Sequence, residues 1–209
     1  MSKNLIDYYS DAGDGAPSTI TELRLGAEPA MTLLFTPECQ EVLLHYVADE
    51  SVRSYVQCPG EGCPICYTGS SPSRFDLLPL FDVESGIVKV LRIPDNRRPT
   101  GLAAKLVPHL KDKDVADKLI LISRQGTTDY SVEARPLGPD AKRGEVEINA
   151  FVERVDEGLQ LRGAFPEMTP AELAEVPKVA ARLEALGGWV PPGESKSGGG
   201  ATGAASDDS

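Results

Sequence analysis

The chain has 209 residues, 41% of them apolar, with a formal charge of -11, four cysteines and two histidines. That length can bury a core of roughly 120–150 residues and leave arms outside it. No apolar run approaches the roughly 18 residues a membrane helix needs, and the N-terminus lacks the basic start and apolar stretch of a signal peptide, so a soluble cytoplasmic protein with no membrane partner is expected.

The charge is unevenly spread. Residues 1–52 hold 2 basic and 9 acidic side chains, residues 53–143 hold 14 and 11, and residues 144–209 hold 5 and 12. A middle of net +3 thus lies between two flanks of -7 each, and the total alone does not exclude a polyanionic partner.

Residues 1–30 carry Gly13, Gly15, Pro17, Gly26 and Pro29 among scattered charges and read as a loosely attached arm, with Tyr8 and Tyr9 able to dock it on a neighbour. Residues 31–35 and 41–47 read as strands separated by a break at Pro37.

Next comes the stretch that carries chemistry. Cys58, Cys63 and Cys66 form Cys-x4-Cys-x2-Cys, in which Cys63-Pro64-Ile65-Cys66 is a thiolate knuckle and Pro59-Gly60-Glu61-Gly62 a turn that folds Cys58 back onto it. Three sulfurs converge by local geometry. A disulfide would strand one thiol, so the pattern points to a metal, and a structural zinc ion needs a fourth ligand from elsewhere. His45, separated from Cys58 by twelve residues and on the same side of its strand as Leu43 and Val47, competes with Cys39 for that place. Either choice closes the coordination shell, which makes the metal a structural staple without a position for substrate.

A polar loop over residues 68–73 leads out of the knuckle. Residues 75–83 and 87–93 form a predicted hairpin turning at Glu84-Ser85-Gly86, its second strand near an edge or groove because Lys89 and Arg92 point to opposite faces. A loop with adjacent Arg97 and Arg98 follows, then a short helix to about residue 110, capped by Thr100 and bent or ended near Pro108. Residues 118–124 and 128–135 read as a second hairpin, and residues 145–155 as a further strand. Thr169-Pro170-Ala171-Glu172 opens a helix with a capping box, broken at Pro177 and stopped at Gly187-Gly188. Residues 191–209 are Gly/Ser-rich, end in Asp207 and Asp208, and read as a flexible acidic tether.

The predicted fold is mainly β with minor α: a small closed or partly open β-barrel over residues 31–160, a metal loop inserted at 45–66, a helical segment at 161–190 and a tail beyond. With His45-x12-Cys58, Cys63-Pro64-x-Cys66, a basic and aromatic middle and an acidic end, the chain resembles the zinc-containing helix-destabilising single-stranded DNA-binding proteins of large tailed phages. Its middle gap, x4, is shorter than that family's. The resemblance implies an OB-like fold, cooperative coating of single strands in DNA replication, recombination or repair, self-association along DNA, an infected bacterial cytoplasm, and an acidic tail that recruits replication or recombination proteins.

Stacking and charge lead to the same expectation from the residues themselves, because sequence-independent single-strand binders join a basic groove to aromatic faces. Arg53, Tyr55, Arg74, Phe75, Arg92, Arg97, Arg98, Lys105 and Tyr130 are the candidates. Catalysis is not expected, since there is no Gly-rich phosphate loop, nucleophile elbow or His-Glu-x2-His helix. The alternative is a zinc-ribbon adaptor that binds other proteins and no nucleic acid.

Overall fold

The computed structural model describes residues 20–35, 38–52, 54–95, 98–138 and 141–190, the side chains of 141–143 excepted. Its strands are β1 (Ala30–Leu33), β2 (Gln40–Val47), β3 (Ser54–Gln57), β4 (Ser73–Asp82), β5 (Ile87–Pro94), β6 (Lys118–Gln125) and β7 (Asp129–Pro136). The helices are α1 (Pro64–Tyr67), α2 (Leu102–Leu110), α3 (Ala141–Asp156), α4 (Pro170–Glu175) and α5 (Pro177–Ala185).

All seven strands join one antiparallel sheet in the order β3-β2-β4-β1-β6-β7, with β5 on the other edge of β4. Strand β4 organises it. One of its edges pairs with β5 throughout, while the opposite edge takes β2 along residues 73–77 and β1 at Phe81 and Asp82. Among the described residues no pairing joins β7 to β5 or β3, so of the closed or partly open barrel expected the strands form an open sheet and no closed barrel.

The period-two pattern of β4 feeds two cores. Leu78 and Leu80 pack with Leu91 and Ile93 of β5, Ile120 and Ile122 of β6, and Leu102 and Leu106 of α2. Phe75 and Leu77, on the opposite side, pack with Val42 and Leu44 of β2 and with Phe151 and Phe165. Both faces of the strand are buried, and each leucine contributes about 1.5–3 kcal/mol.

Three expectations change. Residues 145–155 belong to helix α3, not to a strand: Gly144, Ile148 and Phe151 turn inward at helical spacing, and Gly144 lets the helix approach Leu33 and Phe81 where a methyl group would stand 2.9 Å from Leu33 Cδ1. Residues 20–30 belong to the fold and not to a loosely attached arm. Ile20 and Leu23 are buried, and Thr21 and Leu23 exchange backbone hydrogen bonds with Val90, adding a parallel ribbon to the edge of β5. Helix α2 starts after Gly101 with no side-chain cap, so Thr100 does not cap it. Residues 1–19 and the tail at 191–209 lie outside the described residues.

The remaining elements follow the sequence. Both hairpins form, Pro108 sits inside α2, and Thr169 and Glu172 make a reciprocal capping box at the start of α4. Pro177 separates α4 from α5, as its missing N–H and ring sterics require. No described helix is long and apolar enough to cross a membrane.

Candidate metal centre and the aromatic face beside it

The metal loop is assembled by short-range rules. Gly60 and Gly62 take φ of 81° and 76°, values that side chains disfavour, and so reverse the chain between Cys58 and Cys63. Cys63 then stands at the entrance of the one-turn helix α1, with Pro64 at its first position, and the Tyr67 N–H donates to the Cys63 carbonyl at 3.0 Å. This turn brings Cys66 round onto the same side. Strand β2 presents His45 from the opposite wall, in register with the fully buried Val56 of β3.

The four ligand atoms lie within 4.8 Å of one another and can hold one metal ion. His45 Nε2 is 3.5 Å from Cys63 Sγ and 3.4 Å from Cys66 Sγ, and Cys58 Sγ is 3.7 Å from Cys66 Sγ. A tetrahedron with metal–sulfur bonds near 2.3 Å and a metal–nitrogen bond near 2.0–2.1 Å has edges of about 3.6–3.8 Å, so these separations fit one ion at the centre. Cys39 is exposed at the start of β2, outside this group, and the fourth position goes to His45.

Burial favours the neutral forms of these side chains. Burial pushes the Cys63 thiol above its ordinary range. Burial, reinforced by hydrogen bonds that the Cys66 thiol makes as a donor to Cys58 and Cys63, pushes Cys66 up to about 12. Burial also holds the His45 imidazole below its usual value, which keeps its nitrogen free of the second proton.

The C-terminal helices cover this module. Val47, Val52, Val56, Cys63 and Ile65 pack against Leu173 of α4 and Val179 and Leu183 of α5, with Trp189 at the margin. A second tie is polar: the Asp49 carboxylate accepts from the Ser51 hydroxyl at 2.6 Å and from the Lys178 N–H at the start of α5 at 3.2 Å. Those bonds, the Ser51 hydroxyl first, hold its carboxyl below the usual range.

On the far side of β2 lies an aromatic row. Tyr46 and Tyr55 are register partners with ring centroids 5.1 Å apart, and Tyr55 meets Phe75 edge-on at 5.4 Å. The Arg92 guanidinium lies 3.6 Å from the centroid of the Tyr55 ring and 4.7 Å from that of Phe75. Tyr46, 56% exposed, is the open end of the row, and Phe75 is the closed end.

The nine candidate nucleic-acid residues therefore divide. Tyr55, Phe75 and Arg92 come together, and Arg74 begins the same strand as Phe75 but is paired with Glu41 at 2.6 Å. Arg98 and Lys105 are exposed, whereas Tyr130 packs against the Leu78 side of the sheet and does not join the row. Arg53 and Arg97 lie outside the described residues. Tyr46 was missed, although the alternation of β2, with Val42 and Leu44 inward, sets it on the Phe75 side. Comparison of the chain with protein families, curated proteins and solved structures returns no match.

Proposed function

We propose that this chain binds single-stranded DNA through the Tyr46–Tyr55 face and that its ligand set holds one structural zinc ion. The observation that carries the reading is the exposed Tyr46 ring beside the half-buried Tyr55 ring, which a guanidinium backs, an arrangement on which bases stack whatever their sequence. Two further features support it. The order β5-β4-β1-β6-β7, with α2 between β5 and β6, is that of a five-stranded Greek-key barrel left open, an OB-like arrangement. The oligonucleotide face of that fold spans its second and third strands, here β4 and β5, and the loop before them, here the metal module. Zinc is favoured by three thiols and an imidazole at tetrahedral spacing, with every coordination position supplied by protein.

In this reading the acidic end at Asp207 and Asp208 recruits replication or recombination proteins, and exposed Arg98 and Lys105 meet phosphates. The decisive experiment is fluorescence anisotropy of a labelled oligo(dT) with the full-length metal-loaded protein. Binding should weaken as salt rises, because neutralised phosphates release counterions; no binding at about 50 mM salt rejects the reading. A second reading, a protein-binding adaptor, is favoured by Tyr67, Leu186 and Val190, large apolar side chains exposed around the metal module.

A further inference from the structure

The pair formed by Arg92 and Glu22 points to a division of labour within that face, and the inference rests on the single-strand reading. Glu22 lies on the ribbon of residues 21–23 that hydrogen-bonds to Val90, so its backbone is fixed against β5. Its Oε1 accepts from Arg92 Nε at 2.8 Å, and both side chains are about four-fifths buried, at 18% and 20% exposure. Arg24 reaches the same carboxylate only at 3.9 Å, from a side chain 85% exposed. The carboxylate therefore neutralises Arg92 before any other cation.

Geometry fixes what remains of the arginine. With Nε held by Glu22 and Cζ 3.6 Å from the Tyr55 centroid and 4.7 Å from that of Phe75, the guanidinium can support a ring but brings no net charge to the face. We propose that Glu22 is a positioning residue that turns Arg92 into a rigid, charge-neutral backing for the Tyr55 ring, so that the centre of the face recognises bases by stacking while phosphates are met elsewhere. The ligand class this selects is unstacked nucleobases of a single strand.

The test is the salt slope of oligo(dT) binding, a readout that mere loosening of the fold does not move. Each phosphate neutralised on a single strand contributes about 0.7 to the slope of log affinity against log salt. Glu22→Gln keeps an oxygen for the Arg92 N–H and removes the charge, so the slope should steepen by about 0.7, an extra loss of about 2.6-fold for each fourfold rise in salt. The double variant Glu22→Gln, Arg92→Gln guards against a folding effect of the single one. It replaces a neutral pair by a neutral pair and should keep the wild-type slope at reduced affinity. A double variant whose slope flattens by about 0.7 makes Arg92 a phosphate contact and overturns the assignment. An unchanged slope in Glu22→Gln does the same. A wild-type protein that does not bind the oligonucleotide overturns this inference together with the reading it rests on, whereas slope failures in a binding protein overturn the inference alone.

Discussion

The Cys58 N–H donates to the Leu43 carbonyl at 2.9 Å, which ties the first knuckle cysteine to β2 two residues before His45. The fourth ligand is thus set by strand pairing and not by the knuckle itself. A ligand separated from Cys58 by twelve residues of sequence arrives at the cluster because β2 and β3 close between them.

This arrangement predicts which substitutions release the metal. Purified reduced protein should contain one zinc per chain. His45→Ala should weaken zinc affinity by more than about 100-fold, the upper end for losing merely an outer-shell partner, and Cys39→Ala should leave zinc in place. Metal analysis after gel filtration against a weak chelator checks both.

Zinc affinity should also depend steeply on pH, in a stated direction. Cys63 and Cys66, both raised by burial, hold their protons in the neutral range in the metal-free protein, whereas His45, lowered by burial, has less of a proton to release than an exposed imidazole. Each of the two thiols gives up one proton on binding, so from them alone log affinity should rise by about two per pH unit. Competition with a chromogenic chelator between about pH 6.5 and 8 measures the slope. A pH-independent affinity would contradict bound thiolates.

Substitutions on the aromatic face should separate from those inside the sheet. Tyr46→Ala should cost about 1–3 kcal/mol of single-strand affinity, roughly 5- to 150-fold, because it removes the exposed ring of the row. Tyr130→Ala should change stability but leave affinity within about twofold, since its ring packs on the opposite core. Anisotropy titrations of the two variants in one buffer make the comparison.

The Leu78 core and the cluster over the metal module should respond differently to equal damage. Leu106→Ala and Leu173→Ala each truncate a fully buried leucine and should cost about 2–5 kcal/mol in denaturant unfolding. Only Leu173→Ala should also accelerate zinc loss to a chelator, because Leu173 packs on Cys63 and Ile65.

Local rules made the metal centre readable in advance. Two glycines at positive φ and a proline at the start of α1 place three sulfurs by themselves, and the side of β2 that carries His45 follows from alternation. The helix α3 was misread because Val146, Ile148, Ala150 and Val152 alternate as in a strand, while the residues that turn inward, Gly144, Ile148 and Phe151, follow the helical period and one of them has no side chain. Tyr46 escaped for a different reason: its significance depends on Tyr55 across a four-residue strand that propensity alone does not reveal. Ile20 and Leu23 lie in a segment whose glycines and prolines suggest disorder, and only the edge of β5 gives them somewhere to pack.

The short strand β1 has a kinetic meaning. The hairpins β4–β5 and β6–β7 can each form from neighbouring residues, but among the described residues they meet in the sheet only through β1, where Thr32 pairs with Asp82 on one side and with Ile120 on the other. The Thr32 hydroxyl donates to the Ile120 carbonyl across 88 positions of sequence. Closing a loop of that size precedes any reward from the contacts it makes, so the joining of the two hairpins is expected to set the pace of folding, with the fully buried Thr32 at the seam that zips last.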